Sequence, residues 1–284
     1  MNSPILITGA AGNVGREIIA RLPKSASIRA GERTIEGASK DLPPNVDVVH
    51  LDFTDASTYA AGLQGVKKLF LVRPPAISDV KNVMGPFIWA AQGAGVEHIV
   101  FLSLLGAEKN PIVPHASIEK VILKTGMTYT FLRPSFFMQN LSTTHLDEIK
   151  TLNKILLPAG NGRTSFIDVR DIAAVAAKVL VQKGHENKAY ALTGSEALTY
   201  TEVAQLLTEE LKRPIEYDKA SLWKFWRFHR AKGVNASFIV VMMGIYTTAR
   251  LGLAGTITPT LQDLLGRAPI TMKQFVHDYR AMWG

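Results

Sequence analysis

The sequence predicts an α/β protein built on a doubly wound parallel sheet. Over residues 1 to about 135, short apolar runs alternate with segments of helical period. Several of the runs, such as "HIVFLS" (98–103), are apolar on both faces, which is typical of strands inside a parallel sheet. The intervening helices then cover both faces of that sheet through right-handed crossovers.

The elements follow one another in a regular order up to Pro134. The predicted strands are 4–9, 27–32, 46–52, 67–72, 98–103 and 128–134, and the helices between them are 14–22, 55–64, 79–95 and 115–126. Residues 155–180 predict a strand, an Asn-Gly-type turn at Asn161 and Gly162, a second strand and a long helix. We also expect a strand at 189–194, a helix at 199–213 that Thr199 caps, and a mostly helical remainder.

The composition excludes several classes of site. The chain has 284 residues and no cysteine, which excludes disulfides, thiolate metal sites and cysteine nucleophiles. No pair of histidines has metal-ligand spacing and no Gly-x-Ser-x-Gly turn occurs, so we predict no metal. The N-terminus has no secretory pattern, and the most apolar later run, 238–246, is far shorter than the ~20 residues that cross a bilayer. We therefore predict a cytoplasmic protein with no membrane partner.

The net charge of +8 raises the question of an anionic partner. In "SLWKFWRFHRAKG" (221–233), aromatic and cationic residues alternate, as they do in platforms for single-stranded nucleic acid and in interfacial helices. We favour a helix that buries Leu222, Phe225, Trp226 and His229 and keeps its cations in water. On this interpretation the protein has no nucleic-acid partner.

The stretch "ILITGAAGNVGREIIARL" (5–22) carries the main functional signal. Gly9, Gly12 and Gly15 lie between a predicted strand and a predicted helix, within a run of βαβ units. In such a turn the first glycine permits the tight bend, the second admits a pyrophosphate, and the third permits close packing of the helix. The amides at the start of the helix then bind the phosphate charge. The sequence predicts a dinucleotide-binding turn.

The residues after the next two strands bear on which dinucleotide binds. An acid after the second strand favours the 2′-hydroxyl of NAD, and a cation favours the 2′-phosphate of NADP. The sequence offers both, as Glu32 and Arg33. Asp52 and Phe53, after the third strand, are placed to flank the adenine.

Five segments together resemble one known family over nearly the whole chain. They are "ILITGAAGNVGREI", "IRAGERT", "HIVFLSLLGA", "HASIEKVILKTGMTYTFLRPSFFMQNL" and "FIDVRDIAAVAAKVL". The family is the NmrA-like, atypical short-chain dehydrogenases/reductases. It includes quinone oxidoreductases, triphenylmethane and azo-dye reductases, clavine dehydrogenases, and redox-sensing regulators that bind NADP without turning it over.

The resemblance implies a Rossmann-type NAD(P)-binding domain and a smaller, mostly helical C-terminal substrate lobe. We place the domain at 1–194, with 141–162 contributing to the substrate lobe, and the lobe itself at 195–284. From the strand positions and the resemblance together, the expected cofactor-binding residues are Thr8, Gly9, Gly12, Asn13, Val14, Gly15, Arg33, Asp52, Phe53, Leu71, Val72, Arg73, Ser103, Leu104, His115, Pro134, Ser135 and Phe136. The expected substrate pocket contains Phe137, Met138, Asn140, Trp223 and Trp226. Since Arg33 matches a family position and Glu32 can point to solvent, we favour NADPH, with NADH possible.

The catalytic pattern of the wider superfamily is broken in this chain. Its Tyr-x-x-x-Lys pair falls on Pro111 and His115. His115 is the one candidate catalytic residue, since an imidazole can donate a proton and Glu119 at i+4 could orient it. We favour the alternative, in which His115 only positions the cofactor ribose. Ser103 matches the superfamily's catalytic serine or serves only as a strand-end hydrogen-bonding group.

Two functions follow from these expectations. The first is an NAD(P)H-dependent oxidoreductase that transfers hydride to a small conjugated acceptor such as a quinone, which can take its proton from water. The alternative is a non-catalytic NADP-sensing regulator that acts through a protein partner. For either function we expect a monomer or a homodimer.

Overall fold

The structure is a computed structural model that describes residues 3–37 and 42–284. The chain forms two compact units. The first comprises Met1–Pro134 and Ile172–Leu192, and the second comprises Ser135–Asp171 and Thr193–Gly284. The segment 141–162, expected to join the C-terminal lobe, lies inside the first stretch of the second unit.

The strands and helices alternate along most of the chain. The strands are β1 (Ile5–Thr8), β2 (Ile28–Glu32), β3 (Asp47–His50), β4 (Lys68–Val72), β5 (His98–Leu102), β6 (Thr128–Pro134), β7 (Phe136–Phe137), β8 (Lys154–Leu157), β9 (Thr164–Ile167), β10 (Lys188–Leu192), β11 (Ala197–Leu198) and β12 (Glu216–Lys219). The helices are α1 (Asn13–Arg21), α2 (Tyr59–Leu63), α3 (Gly85–Gly93), α4 (Pro114–Thr125), α5 (Leu146–Leu152), α6 (Val169–Val181), α7 (Tyr200–Leu211), α8 (Leu222–Ala231), α9 (Ala236–Arg250), α10 (Thr260–Leu265) and α11 (Met272–Tyr279).

The first unit is organised around a seven-stranded sheet. Its strand order is β10-β6-β5-β4-β1-β2-β3, and every neighbouring pair is parallel. The central strands β1 and β5 are buried along their whole length, because helices cover both faces. The predicted doubly wound, Rossmann-type sheet is confirmed.

One predicted helix of this unit begins with a π-helical turn. Residues 79–95 were expected to form a single helix, but Val80–Met84 form a π-helical turn before α3 begins at Gly85. Pro86 lies in the first turn of α3, where a missing backbone N–H costs no helical hydrogen bond. Proline therefore sets the start of α3 six residues later than the periodicity predicted.

The second unit contains two small sheets and most of the later helices. The sheets have the orders β11-β9-β7 and β12-β8. The strands on either side of the Asn161–Gly162 turn, β8 and β9, therefore occur as predicted but do not pair with each other. A Cβ on Gly162 would lie 1.8 Å from the Ala249 carbonyl oxygen, so the turn is held against the end of α9 and the strands separate.

The helices α8 and α9 pack on the core of the second unit. In α8, Phe225 and His229 are buried as predicted, and Trp226 is partly buried. Leu222, however, is 40% exposed, and the prediction that it is buried is wrong because it occupies the first turn of the helix, after the Ser221 cap. Within residues 3–37 and 42–284, no helix is long and apolar enough to cross a bilayer.

Candidate cofactor site

The order of the strands reverses between β1 and β4, and ligands of such sheets bind at the carboxyl ends of the strands at this point. Thr8 ends β1 there and is buried. Its hydroxyl donates to the Phe70 carbonyl (3.1 Å) and accepts the Val72 amide (2.9 Å). The predicted cofactor residue Thr8 is thus a clamp that joins the two strands at the base of the crevice.

The glycine turn follows directly. Gly9 has φ +61°, a left-handed conformation that favours glycine, and a Cβ there would lie 2.7 Å from Val72 Cγ1. The Gly12 amide donates to the Gly9 carbonyl (3.0 Å) and closes the turn. Gly12 is also the N-cap of α1 and supplies no side chain to the first helical amides. The amides of Asn13, Val14 and Gly15 therefore begin the helix without a side-chain cap, and its first turn contains no acidic residue. These amides are suited to bind an anion.

Gly15 fixes the helix against the turn. A Cβ at this position would lie 2.3 Å from the Gly9 carbonyl oxygen and 2.6 Å from Ala10 Cα. The close packing predicted for the third glycine thus occurs, and its partner is the turn itself.

Glu32 and Arg33 have different environments. The Ala11 amide donates to Glu32 Oε1 at 2.6 Å, so the carboxylate is bound to the glycine turn and the expectation that it points to solvent is wrong. The carboxylate lies there because the partly buried Ala11 amide needs an acceptor. Arg33 is exposed.

Asp52 is held in its ionised form. Hydrogen bonds from Thr54, with a smaller contribution from the Arg33 guanidinium, hold the pKa of Asp52 below its ordinary value.

Two predicted contact residues are core residues. The Phe53 ring is buried and packs edge-on against Phe87, with the ring centroids 4.8 Å apart. The ring belongs to this aromatic cluster, because burial there outweighs exposure at the strand end, and the placement of Phe53 beside the adenine stays a prediction. Leu71 is fully buried in the same core, so only the backbone of these two residues is accessible to a ligand.

Arg73 and His115, in the first unit, each have one buried side-chain nitrogen that makes no hydrogen bond. Arg73 donates through Nη1 to the carbonyls of Pro74, Pro75 and Ile77, which folds the loop after β4 around its guanidinium. Arg73 Nε and His115 Nδ1 are shielded from solvent and have no hydrogen-bond partner. Buried polar atoms are normally paired, so both nitrogens are suited to a ligand.

His115 is neutral at physiological pH. Burial, and secondarily the Arg73 guanidinium, lowers the pKa of His115 to about 3. The imidazolium that a general acid requires is therefore absent near neutrality. This favours the positioning role over the catalytic role.

Glu119 does not orient His115. It is buried, accepts the Ser103 hydroxyl (2.5 Å) and binds Arg133 through both oxygens (3.0 and 2.7 Å). The bidentate guanidinium outcompetes the imidazole one turn away. Ser103 has one proton, which it donates to Glu119, so its hydroxyl cannot also donate to a ligand. Arg133 was not predicted, since only the pairing of β5 with β6 brings it near Ser103.

The remaining predicted residues are divided between the two units. Leu104 and Pro134 belong to the first unit; the others belong to the second, namely Ser135, Phe136, Phe137, Met138, Asn140, Trp223 and Trp226. Ser135 is buried and hydrogen-bonds to Ser165 (2.9 Å), and Met138 is buried in the core. Trp223 is 69% exposed.

Sequence reasoning missed a buried polar group in the second unit. His145 contacts Glu148 through Nδ1 (2.7 Å) and Tyr246 through Nε2. All three side chains are at least nine-tenths buried. The spacing of His145 and Glu148 on a helical turn could have predicted their pairing, but Tyr246 is distant in sequence.

Comparison with known proteins decides the family. The sequence model of the NmrA-like family matches residues 1–238. The chain belongs to the NmrA-like family. The NAD(P)H azoreductase of Xenophilus azovorans is 32% identical over 289 residues, covering 99% of each chain.

Solved structures of this family have the same fold. An NADPH-dependent quinone oxidoreductase from Escherichia coli superposes with a TM-score of 0.84 at 29% identity, covering 97% of this chain and 99% of that one. The triphenylmethane reductase of Citrobacter sp., complexed with NADP(H), gives the same TM-score and coverage at 28% identity. The predicted membership of the family is confirmed.

Replacing Gly15 by alanine tests the packing of the turn. The added methyl group has no space beside Gly9 and Ala10, so Gly15→Ala should lower the free energy of unfolding by about 1–3 kcal/mol in urea titrations. Gly93→Ala is the matched control, because no atom lies within 4 Å of a Cβ there. Gly93→Ala should leave stability unchanged or raise it by about 0.4–1 kcal/mol. Equal effects of the two changes would contradict the packing argument.

The titration of His115 tests its neutral state. Its pKa in the folded state, about 3, lies below the ordinary value of 6.5, so below pH 6.5 the unfolded state binds the extra proton. The stability that the neutral ring confers is complete above pH 6.5 and decreases as the pH falls from 6.5 towards 3. The slope from this one group is about 1.4 kcal/mol per pH unit. Urea titrations at pH 7, 6 and 5 should show a steeper loss for the wild type than for His115→Gln, and parallel losses would contradict the neutral state.

Proposed function

We propose that the chain binds NADPH or NADH at the glycine turn and transfers hydride to a small conjugated acceptor such as a quinone. The observation that carries this proposal is the geometry of the turn at the end of β1. There, Gly12 leaves the first amides of α1 without a side-chain cap. The names of the relatives, an NAD(P)H azoreductase and an NADPH-dependent quinone oxidoreductase, support the same chemistry.

The residues of the first unit fit the two ends of a dinucleotide. A Cβ at Gly12 would meet one atom, the Gly9 carbonyl oxygen at 3.1 Å, so the space on the other side of the turn is free for a pyrophosphate. The exposed Arg33 would hold the 2′-phosphate of NADPH. Arg73 Nε and His115 Nδ1 offer hydrogen-bonding atoms to the nicotinamide half. The cofactor, when bound, supplies the hydride.

Ser103, His115 and Pro111, which lie at the superfamily's catalytic positions, are not suited to deliver a proton. The proton of Ser103 is committed to Glu119, His115 is neutral, and Pro111 stands where the superfamily has tyrosine. Reduction of a simple carbonyl needs a positioned acid, whereas a quinone gives a stabilised anion that water can protonate. The site therefore supports quinone-type acceptors over carbonyl substrates.

The same absence of an acid supports the second candidate, an NADP-sensing regulator without turnover. The two functions differ in one measurement, the oxidation of NADPH with quinones, azo and triphenylmethane dyes. We expect turnover with at least one acceptor, and Gly12→Val should abolish both turnover and NADPH binding. Tight binding of NADPH without turnover on any acceptor would favour the sensor.

A cytoplasmic location, the absence of a nucleic-acid partner and a monomeric or dimeric state stay predictions.

The neighbouring charges predict the choice of cofactor. Arg33→Ala should lower the affinity for NADPH about tenfold, or about 1.4 kcal/mol, and spare that for NADH. Glu32→Gln should raise the affinity for NADPH, because it removes a negative charge beside the turn while keeping an acceptor for the Ala11 amide. Calorimetric titration with both cofactors measures these effects. A wild type that prefers NADH, and loses that preference in Glu32→Gln, would reverse the two roles.

A further inference from the structure

The helices α8 and α9 turn their inner faces to the same core. Phe225 and His229 of α8 are buried, and so are Ile239, Met242 and Tyr246 of α9. The rings of Phe225 and Tyr246 lie 5.8 Å apart. The opposite faces of both helices therefore point away from the core of the second unit.

Apolar side chains are exposed along these two helices and in the loop after α9. Of the sixteen large apolar side chains that are exposed in the described part of the chain, eight lie between 222 and 253: Leu222, Trp223, Phe238, Val240, Val241, Ile245, Leu251 and Leu253. Phe238, Val241 and Ile245 follow the helical period and share one face of α9. Trp223, Leu251 and Leu253 are each exposed by about 70% (69%, 67% and 70%). We call these eight residues the α8–α9 surface.

The same segment carries only positive charge. Residues 219–262 contain no aspartate or glutamate, so all 24 acids of the protein lie elsewhere. The segment has six cations: Lys219, Lys224, Arg227, Arg230, Lys232 and Arg250. Lys224 pairs with Asp218, and Lys232 lies near Asp147 and Glu148. Across residues 3–37 and 42–284, the ion pairs of this segment are those of Lys224 and Lys232, and none involves Arg227, Arg230 or Arg250.

We propose that the α8–α9 surface binds the anionic face of a lipid bilayer. Exposed apolar side chains beside unneutralised cations are what an interfacial helix offers to acyl chains and anionic headgroups. Six of the eight residues are aliphatic, which suits lipid, whereas stacking on nucleic-acid bases requires aromatic rings. The prediction of no membrane partner rests on the shortness of the apolar run 238–246 and on a buried interpretation of 221–233. A helix that lies on the membrane surface needs no spanning length, and Leu222 and Trp223 are exposed. This inference does not depend on the proposed redox chemistry.

Co-sedimentation of the full-length protein with vesicles tests the proposal. We expect binding to vesicles of phosphatidylcholine and phosphatidylglycerol (3:1) that is at least about tenfold tighter than to phosphatidylcholine alone and that weakens with salt. The double variant Leu251→Ser/Leu253→Ser, altered in an exposed loop, should bind at least about tenfold more weakly. Arg227→Glu/Arg230→Glu should lose the preference for the anionic vesicles. Leu123→Ser, 51% exposed on α4, is the matched control and should bind as the wild type does.

Tryptophan fluorescence reports which face meets the lipid. Brominated lipid should quench the tryptophan fluorescence of the wild type. Trp223→Phe should remove most of that quenching, while Trp89→Phe should not.

Three results would overturn the proposal. One is no binding to anionic vesicles, and another is binding that Leu123→Ser weakens as much as the double variant does. The third is a dimer in sedimentation velocity that only the double variant dissociates, since a second copy would then cover the surface.

Discussion

The contact of Gly15 with the backbone of Gly9 and Ala10 is the constraint on which the proposed site depends. It fixes the start of α1 over the end of β1, where the strand order reverses. The uncapped amides of α1 point their partial positive charge at this place. The Thr8 clamp ties β4 to β1 beneath it, so the turn and the loop that carries Arg73 are held on one rigid base.

Three groups near this base, Ser103, His115 and Glu119, are not placed to donate a proton to a ligand. Glu119 pairs with Arg133 and accepts the hydrogen bond of the Ser103 hydroxyl, and His115 is kept neutral by burial. Arg73 is held by three backbone carbonyls and remains the fixed positive charge of this region. Such a set of groups suits the binding and orientation of a dinucleotide, and under the proposed function water protonates the product. The missing tyrosine and lysine thus agree with the geometry of the residues that are present.

The sequence predicted the parts of the fold that depend on local pattern. Glycine spacing after an apolar run identifies the turn, and two-sided apolar runs identify the parallel sheet, since both signals are contained in neighbouring residues. The partners of Glu119 and the unpaired nitrogens of Arg73 and His115 depend on which strands become neighbours, and sequence spacing does not encode that. The same limit explains Phe53, whose ring turns into an aromatic cluster, and the strands around Asn161, which separate because Gly162 packs on α9. Trp223 is exposed because Phe225 and His229 direct the opposite face of α8 inward.

The pH dependence of a single turnover tests the central claim, hydride transfer without a proton from the protein, most directly. The enzyme would be mixed with NADPH and a benzoquinone in a stopped-flow instrument between pH 5.5 and 8.5, with NADPH and with its C4-deuterated form. The account predicts a rate that is flat across this range, is slowed by deuterium, and is unchanged in His115→Gln at saturating cofactor. A rate that falls as pH rises through a single ionisation, and loses that dependence in His115→Gln, would contradict it.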